Sequence, residues 1–131
     1  MFELDDLLSK DSLFVRDLPL CQVRLMNNAL YPWLVLIPRR VDMVEITDLS
    51  QADRVTLLDE MAYVSQALQK HTGAYKMNVA ALGNQVRQLH VHIIARHTSD
   101  AAWPRPVWGG PAELYSDEKA QDMLETLRNA V

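Results

Sequence analysis

The sequence is short of the residues on which several architectures depend. Among its 131 residues there is one cysteine, Cys21. A lone cysteine forms no internal disulfide and builds no thiolate zinc cluster, which excludes stapled and zinc-finger scaffolds. The longest apolar run, Tyr31 to Pro38, is too short to span a bilayer, which takes about 20 residues. Repeats, low-complexity tracts and linkers are absent. Basic residues are also the minority, 13 against 17 acidic ones, for a net charge of −4. Sequence-independent nucleic-acid binding runs on phosphate neutralisation, so this balance argues against a nucleic-acid partner. The first residues, Met1-Phe2-Glu3-Leu4-Asp5-Asp6, lack the basic start and long apolar stretch of a signal peptide. The expected location is therefore the cytoplasm, with no membrane partner.

What is present suits one globular domain over 1–131. About half of the chain is apolar and 23% is charged. A chain this long buries roughly two-thirds of its unfolded surface, enough for a core. The pattern predicts a short helix over 2–10, broken at Asp11-Ser12, then strands over 13–18 and 21–26 around Leu18-Pro19-Leu20. Trp33 to Ile37 is dense enough for a strand buried on both faces. Ser50 and Asp53 open the clearest helix, over 50–71. Val55, Leu58, Met61, Ala62, Val64, Ala67 and Leu68 are its expected apolar stripe, and Gly73 its stop. Strands are expected over 76–82 and 88–95, a loop over 99–115, and a last helix from about 116 to 129 burying Met123, Leu124 and Leu127. Consecutive strands joined by short turns favour an antiparallel sheet, so the class is α+β.

The chemistry lies in Gln88-Leu89-His90-Val91-His92-Ile93-Ile94. On a strand, Leu89, Val91 and Ile93 share one face, and Gln88, His90 and His92 the other. Three readings compete. The face is solvated and its two histidines incidental; or the two imidazoles hold zinc with a third ligand from Cys21, His97 or Asp100; or a neutral imidazole attacks phosphorus while its neighbour donates to a phosphate oxygen. Histidine titrates near neutrality, which leaves both last roles open.

The stretch Gly83-Asn84-Gln85-Val86-Arg87-Gln88-Leu89-His90-Val91-His92-Ile93-Ile94 resembles the signature strand of the histidine-triad (HIT) family, in which three histidines alternate with apolar residues after a glycine and a polar turn. Trp33 to Arg40 resembles that family's central strand, and Trp103-Pro104 the tryptophan–proline loop of one branch. The likeness spans roughly residues 13–108. It implies a HIT-like fold: an antiparallel sheet of about five strands with one long central helix and short terminal helices. It also implies a hydrolase or nucleotidyl transferase acting at the α-phosphate of nucleoside phosphate conjugates, with no metal or other cofactor. A nucleotide-binding regulatory or scaffolding protein with little turnover is the alternative. The family commonly forms twofold dimers, so a homodimer is expected.

Carried over by position, the resemblance makes His90 the nucleophile and His92 the residue that helps hold the phosphate. Gln85 lies where the family often has a phosphate-contacting serine, and Asn84 beside it. Asn78 matches a family asparagine near the catalytic site. Asn27 or Asn28 lies near where an acidic residue commonly meets the ribose. Gln88 departs from the pattern by replacing the first histidine. An amide preserves a hydrogen bond of the supporting network but shuttles no proton. A branch that places glutamine at the last position transfers nucleotides; the replacement here is at the opposite end and does not imply that reaction.

Phe14, Leu25, Met26 and Leu36 are candidate walls for a base, each equally suited to plain core. Trp103 and Trp108 suit a strap over the core slightly better than a rim of the site. Arg96 and Arg105 suit an anion contact or the surface equally. Cys21 suits a small buried hydrophobe.

Overall fold

The computed structural model describes residues 1–131 throughout. Asp5 caps the first helix, α1 (Asp6–Asp11), its carboxylate accepting from the amides of Leu7 and Leu8. This cap lies inside the expected 2–10 helix, so residues 2–4 run outside it as an irregular strap. Strand β1 (Ser12–Asp17) follows α1 directly and pairs antiparallel with β2 (Cys21–Met26). Next come β3 (Trp33–Pro38), a short 3-10 turn over Ile46–Asp48, and the long helix α2 (Gln51–Thr72). Ser50 caps α2, and Gly73 ends it in the left-handed region at φ 67°, where a side chain is strained. β4 (Lys76–Ala80), β5 (Val91–Arg96) and α3 (Asp117–Ala130) complete the chain. The five strands form one antiparallel sheet in the order β1-β2-β3-β5-β4. The α+β class, the five-stranded antiparallel sheet and the single long helix expected from the sequence are what the structure has.

Two boundaries differ from expectation for one reason. β4 stops at Ala80, opposite His92, and the pairing of β3 with β5 stops at Leu36 and Val91, two residues before Pro38, which has no N–H to donate. Residues 88–90 therefore have no ladder on either side. Instead the Leu89 amide bonds to the Met43 carbonyl. β5 begins at Val91, so His90 lies just outside the strand and His92 within it.

The sheet is covered on both faces. Val91, Ile93 and Ala95 of β5 join Leu34 and Leu36 of β3 and Val23 and Leu25 of β2 against Leu57, Val64 and Leu68 of α2. The stripe on α2 is thus centred on 57-60-64-68: Val64 and Leu68 of the expected set lie in it and Met61 and Ala67 pack partly against it, but Val55 and Leu58 are 57% and 64% exposed. Glu60 obscures this stripe because a carboxylate sits in the middle of it. It is buried because its two oxygens accept the amides of Leu20 and Cys21, each at 2.8 Å, closing the β1–β2 turn. Burial, with Glu60 alongside, pushes the Cys21 thiol well above its ordinary value. On α3 the buried residues are Ala120, Leu124 and Leu127, with Met123 only partly covered.

No long helix covers the opposite face. There, Val35 and Ile37 lie under Phe2 and Leu4 of the strap and Leu8 of α1. Trp33 and Ile94 lie under Ala102 and Val107 of the loop that follows β5. The strap and the loop leave a gap between them, and His92 points into it.

Candidate active site

His90 and His92 stand together as period-two spacing predicts. Their ring centroids are 5.0 Å apart and their planes 77° apart, and both residues are more than nine-tenths buried. Each ring has one nitrogen occupied by a partner of known polarity. His90 Nδ1 lies 2.6 Å from the Gln88 carbonyl. A carbonyl only accepts, so Nδ1 carries the proton and Nε2 keeps its lone pair. His92 Nδ1 lies 3.0 Å from Trp33 Nε1. An indole N–H only donates, so the neutral His92 ring carries its proton on Nε2. Backbone and tryptophan thus assign opposite tasks to two identical side chains: one offers a lone pair, the other an N–H.

Burial above all, and then the repulsion that His90 would exert if both rings were protonated, pushes the His92 imidazole down to about 4. His92 is therefore neutral at physiological pH. The sign of the resulting stability effect is fixed. As pH falls below the ordinary 6.5, the unfolded chain takes up the proton before the folded one does. Stability falls between pH 6.5 and about 4 and is unaffected by this group above that window. The loss reaches about 3 kcal/mol at most. Urea denaturation at pH 7 and 4.5 measures it, and a His92→Gln variant, which keeps an acceptor for Trp33, is expected to lose that part of the slope.

The rings border a cleft of about 370 Å³. One wall is Leu7, Leu8 and Asp11 of α1, with Met26 at the end of β2. The second is the β4–β5 turn, Leu82 to Val86, and the third is Trp108 and Gly109. Trp108 packs edge-on against His92 with centroids 5.0 Å apart. Gly83 sits at φ 78°, where an added Cβ would meet the Val86 carbonyl at 3.2 Å; this turn requires glycine and brings Asn84 and Gln85 to the rim. On its other side His90 borders a smaller cleft of about 270 Å³ that includes Glu45, Thr47 and Arg87.

Several candidates from the sequence are engaged elsewhere, although Gln88 lines the smaller cleft beside His90. Gln88 sends its carbonyl to His90, but its side-chain amide makes no hydrogen bond to either imidazole; it bonds to the backbone of Glu3 and Asp5. Asn27 accepts the Tyr115 amide and Asn78 accepts Arg96 Nη1, and neither lines the cleft. Of the four expected base walls only Met26 does: Leu25 and Leu36 face α2, and Phe14 is half exposed on the edge strand β1. The zinc reading lacks a third ligand, because Cys21 packs beside Glu60, Asp100 binds Arg96, and His97 Nε2 donates to the Thr72 carbonyl. Arg96 is held in that ion pair and Arg105 borders a separate depression. Trp33 is the site residue that the sequence did not single out, and Trp108, which by sequence suits a strap over the core slightly better, lies at the rim of the site instead. Their contacts to His92 cross between strands and from a loop, and no local pattern encodes them.

Comparison with family models matches residues 8–99 to the HIT domain. Among solved structures the chain is similar to a histidine triad protein of Bradyrhizobium japonicum, with 46% identity over 99% of this chain and 98% of that one and a TM-score of 0.95. A histidine triad protein of Sinorhizobium meliloti is 44% identical over 99% and 97%, with a TM-score of 0.95. One of Marinobacter aquaeolei is 40% identical over 99% and 96%, with a TM-score of 0.96. Comparison with curated proteins finds no match.

Proposed function

Because the chain belongs to the histidine-triad (HIT) family, we propose that it binds nucleotides in the cleft beside His90 and His92 and cleaves or transfers them at the α-phosphate. The observation that carries this reading is the pair of opposed tautomers. His90 Nε2 holds the free lone pair that a nucleophile needs, and His92 Nε2–H is the donor that an oxyanion needs.

The steps follow from those atoms. His90 Nε2 attacks the α-phosphorus. An N–P bond forms, and the bond to the leaving group breaks with its electron pair going to that group, which takes a proton from water. His92 Nε2–H, with Asn84 and Gln85 at the rim, donates to the non-bridging phosphate oxygens as their charge grows. Water then attacks phosphorus and gives up a proton to solvent, which replaces the one taken by the leaving group; the N–P bond breaks, and its electron pair returns to Nε2. Such donors are worth about 2.7–4 kcal/mol each in the transition state. The nucleoside occupies the larger cleft against Leu7, Leu8, Met26 and Trp108. The leaving group lies on the side of Glu45, Thr47 and Arg87. Rapid alkaline quench, under which an imidazole N–P bond survives, followed by mass spectrometry after mixing with a nucleoside phosphoramidate tests the scheme: a nucleotidyl adduct on His90 supports it, and substrate turnover with an adduct elsewhere overturns it.

One observation favours the second reading, a nucleotide-binding protein with little turnover. The amide of Gln88 is turned to the N-terminal strap, so the two imidazoles work without a third side chain at the first motif position. Tight binding of a nucleotide with neither adduct nor product supports that reading over the first. A homodimer of the kind the family likeness implies would cover the outward Val55 and Leu58 of α2. No helix of the chain is long and apolar enough to cross a membrane.

A further inference from the structure

Glutamine stands at position 88, where the family pattern has its first histidine, and its side chain is occupied by the opposite end of the chain. Oε1 accepts the Asp5 amide at 2.8 Å and Nε2 donates to the Glu3 carbonyl at 2.8 Å. Residues 1–5 make no other hydrogen bond to the body of the protein. The remaining bonds of Asp5 go to Leu7, Leu8 and Ser9, within its own helix. Phe2 and Leu4 add apolar contact with the Val35–Ile37 face. The same segment leads straight into α1, whose Leu7, Leu8 and Asp11 wall the cleft beside the two imidazoles.

We propose that Gln88 is a positioning residue that clamps the N-terminal strap and so fixes α1 as a wall of the nucleotide cleft, and that it does not stand in for an imidazole in the reaction. This rests on the nucleotide reading of the cleft.

The chemistry of the amide explains the residue type. A carboxamide presents a donor and an acceptor side by side at one end, which matches a backbone carbonyl and amide two residues apart. An imidazole presents its two nitrogens on diverging sides of a ring, so a histidine at 88 satisfies one of the two strap groups. A glutamate keeps the acceptor and loses the donor. The orientation of His90 survives all of these changes, because it depends on the carbonyl of residue 88 and not on its side chain.

The test joins amide hydrogen exchange with binding and kinetics in Gln88→Ala, Gln88→His and Gln88→Glu. A hydrogen bond of this kind typically shifts an equilibrium about fivefold, so losing both should cut protection of the Asp5 amide by about tenfold or more in the alanine variant. The glutamate variant should keep more of that protection than the alanine variant. The Kd for adenosine monophosphate and the KM for a nucleoside phosphoramidate should rise about fivefold or more, with kcat and its pH profile within about twofold. Unchanged Asp5 protection in the alanine variant overturns the clamp. A Gln88→His variant with tenfold higher kcat and a shifted pH profile also overturns it, because position 88 would then act on the chemistry. If the wild-type protein binds no nucleotide, the reading of the cleft fails separately, and the exchange data alone decide whether Gln88 holds the strap.

Discussion

Replacing His90 by alanine is expected to lower kcat/KM for nucleoside phosphate conjugates by on the order of 10⁴ or more, because removing a nucleophile removes the covalent route entirely. Affinity for adenosine monophosphate should change far less, within about threefold, since Leu7, Leu8, Met26 and Trp108 remain as walls. This split separates chemistry from binding. A His90→Ala protein that cleaves at the native rate removes His90 from the mechanism. His92→Ala should behave differently. It deletes a donor and leaves the nucleophile, so adduct formation should slow by about 10²–10³ without disappearing. It also leaves the Trp33 indole N–H without its partner, which is why glutamine is the better substitution for stability work.

The second large effect is on stability and lies at the far end of the same strand. Arg96 ends β5 with its side chain 1% exposed, paired with an Asp100 side chain that is 6% exposed. The pair is bidentate: Nε to Oδ2 at 2.8 Å and Nη2 to Oδ1 at 3.0 Å. Nη1 donates to Asn78, and the guanidinium lies over the rings of Tyr31 and Trp103. Asp100 also accepts the amides of His97 and Trp103, so it shapes the start of the loop that covers Trp33. Asp100→Ala leaves a buried cation unpaired and should cost about 3–5 kcal/mol, measured by urea denaturation at pH 7. Asp100→Asn, which retains an acceptor but not the charge, should cost less. A loss below about 1 kcal/mol for alanine shows that the guanidinium finds water instead. The hydrogen bond from Arg96 above all holds the Asp100 carboxyl below its ordinary value. Its stabilisation is therefore complete above the unfolded value of about 4 and disappears as pH falls through the lower folded value. This window lies beneath the one set by His92, so acid titration should show the two losses in sequence.

The sequence and the structure agree where a short repeat governs and part where a distant neighbour decides. Period two placed Val91 and Ile93 in the core and His90 and His92 on the other face, because a strand leaves a side chain no further choice. The caps at Ser50 and Gly73 were legible because they satisfy groups within a few residues. On α2 the expected stripe holds at Val64 and Leu68 and fails at Val55 and Leu58, because Glu60 is charged and its burial depends on two amides some 40 residues upstream. Gln88 was readable as a departure but not as a clamp, since Glu3 and Asp5 lie more than 80 residues away. The aromatic neighbours of His92 belong to the same class. Nothing local to Trp33 or Trp108 says that one fixes a tautomer and the other walls the cleft. Leu25 and Leu36 were fit for a base wall by type alone, but their strand parity turns them toward α2.

The closure of the β1–β2 turn by Glu60 gives the molecule a built-in clock. Cys21 is fully enclosed behind that carboxylate, and both its surroundings and its suppressed ionisation deny it to alkylating reagents in the native state. Release of this thiol requires at least that Glu60 let go of the β1–β2 turn. Pulsed labelling with a maleimide therefore reports opening at this turn and ignores fraying of the N-terminal strap, so the lifetime of the contact between α2 and the sheet can be read from a single sulfur atom.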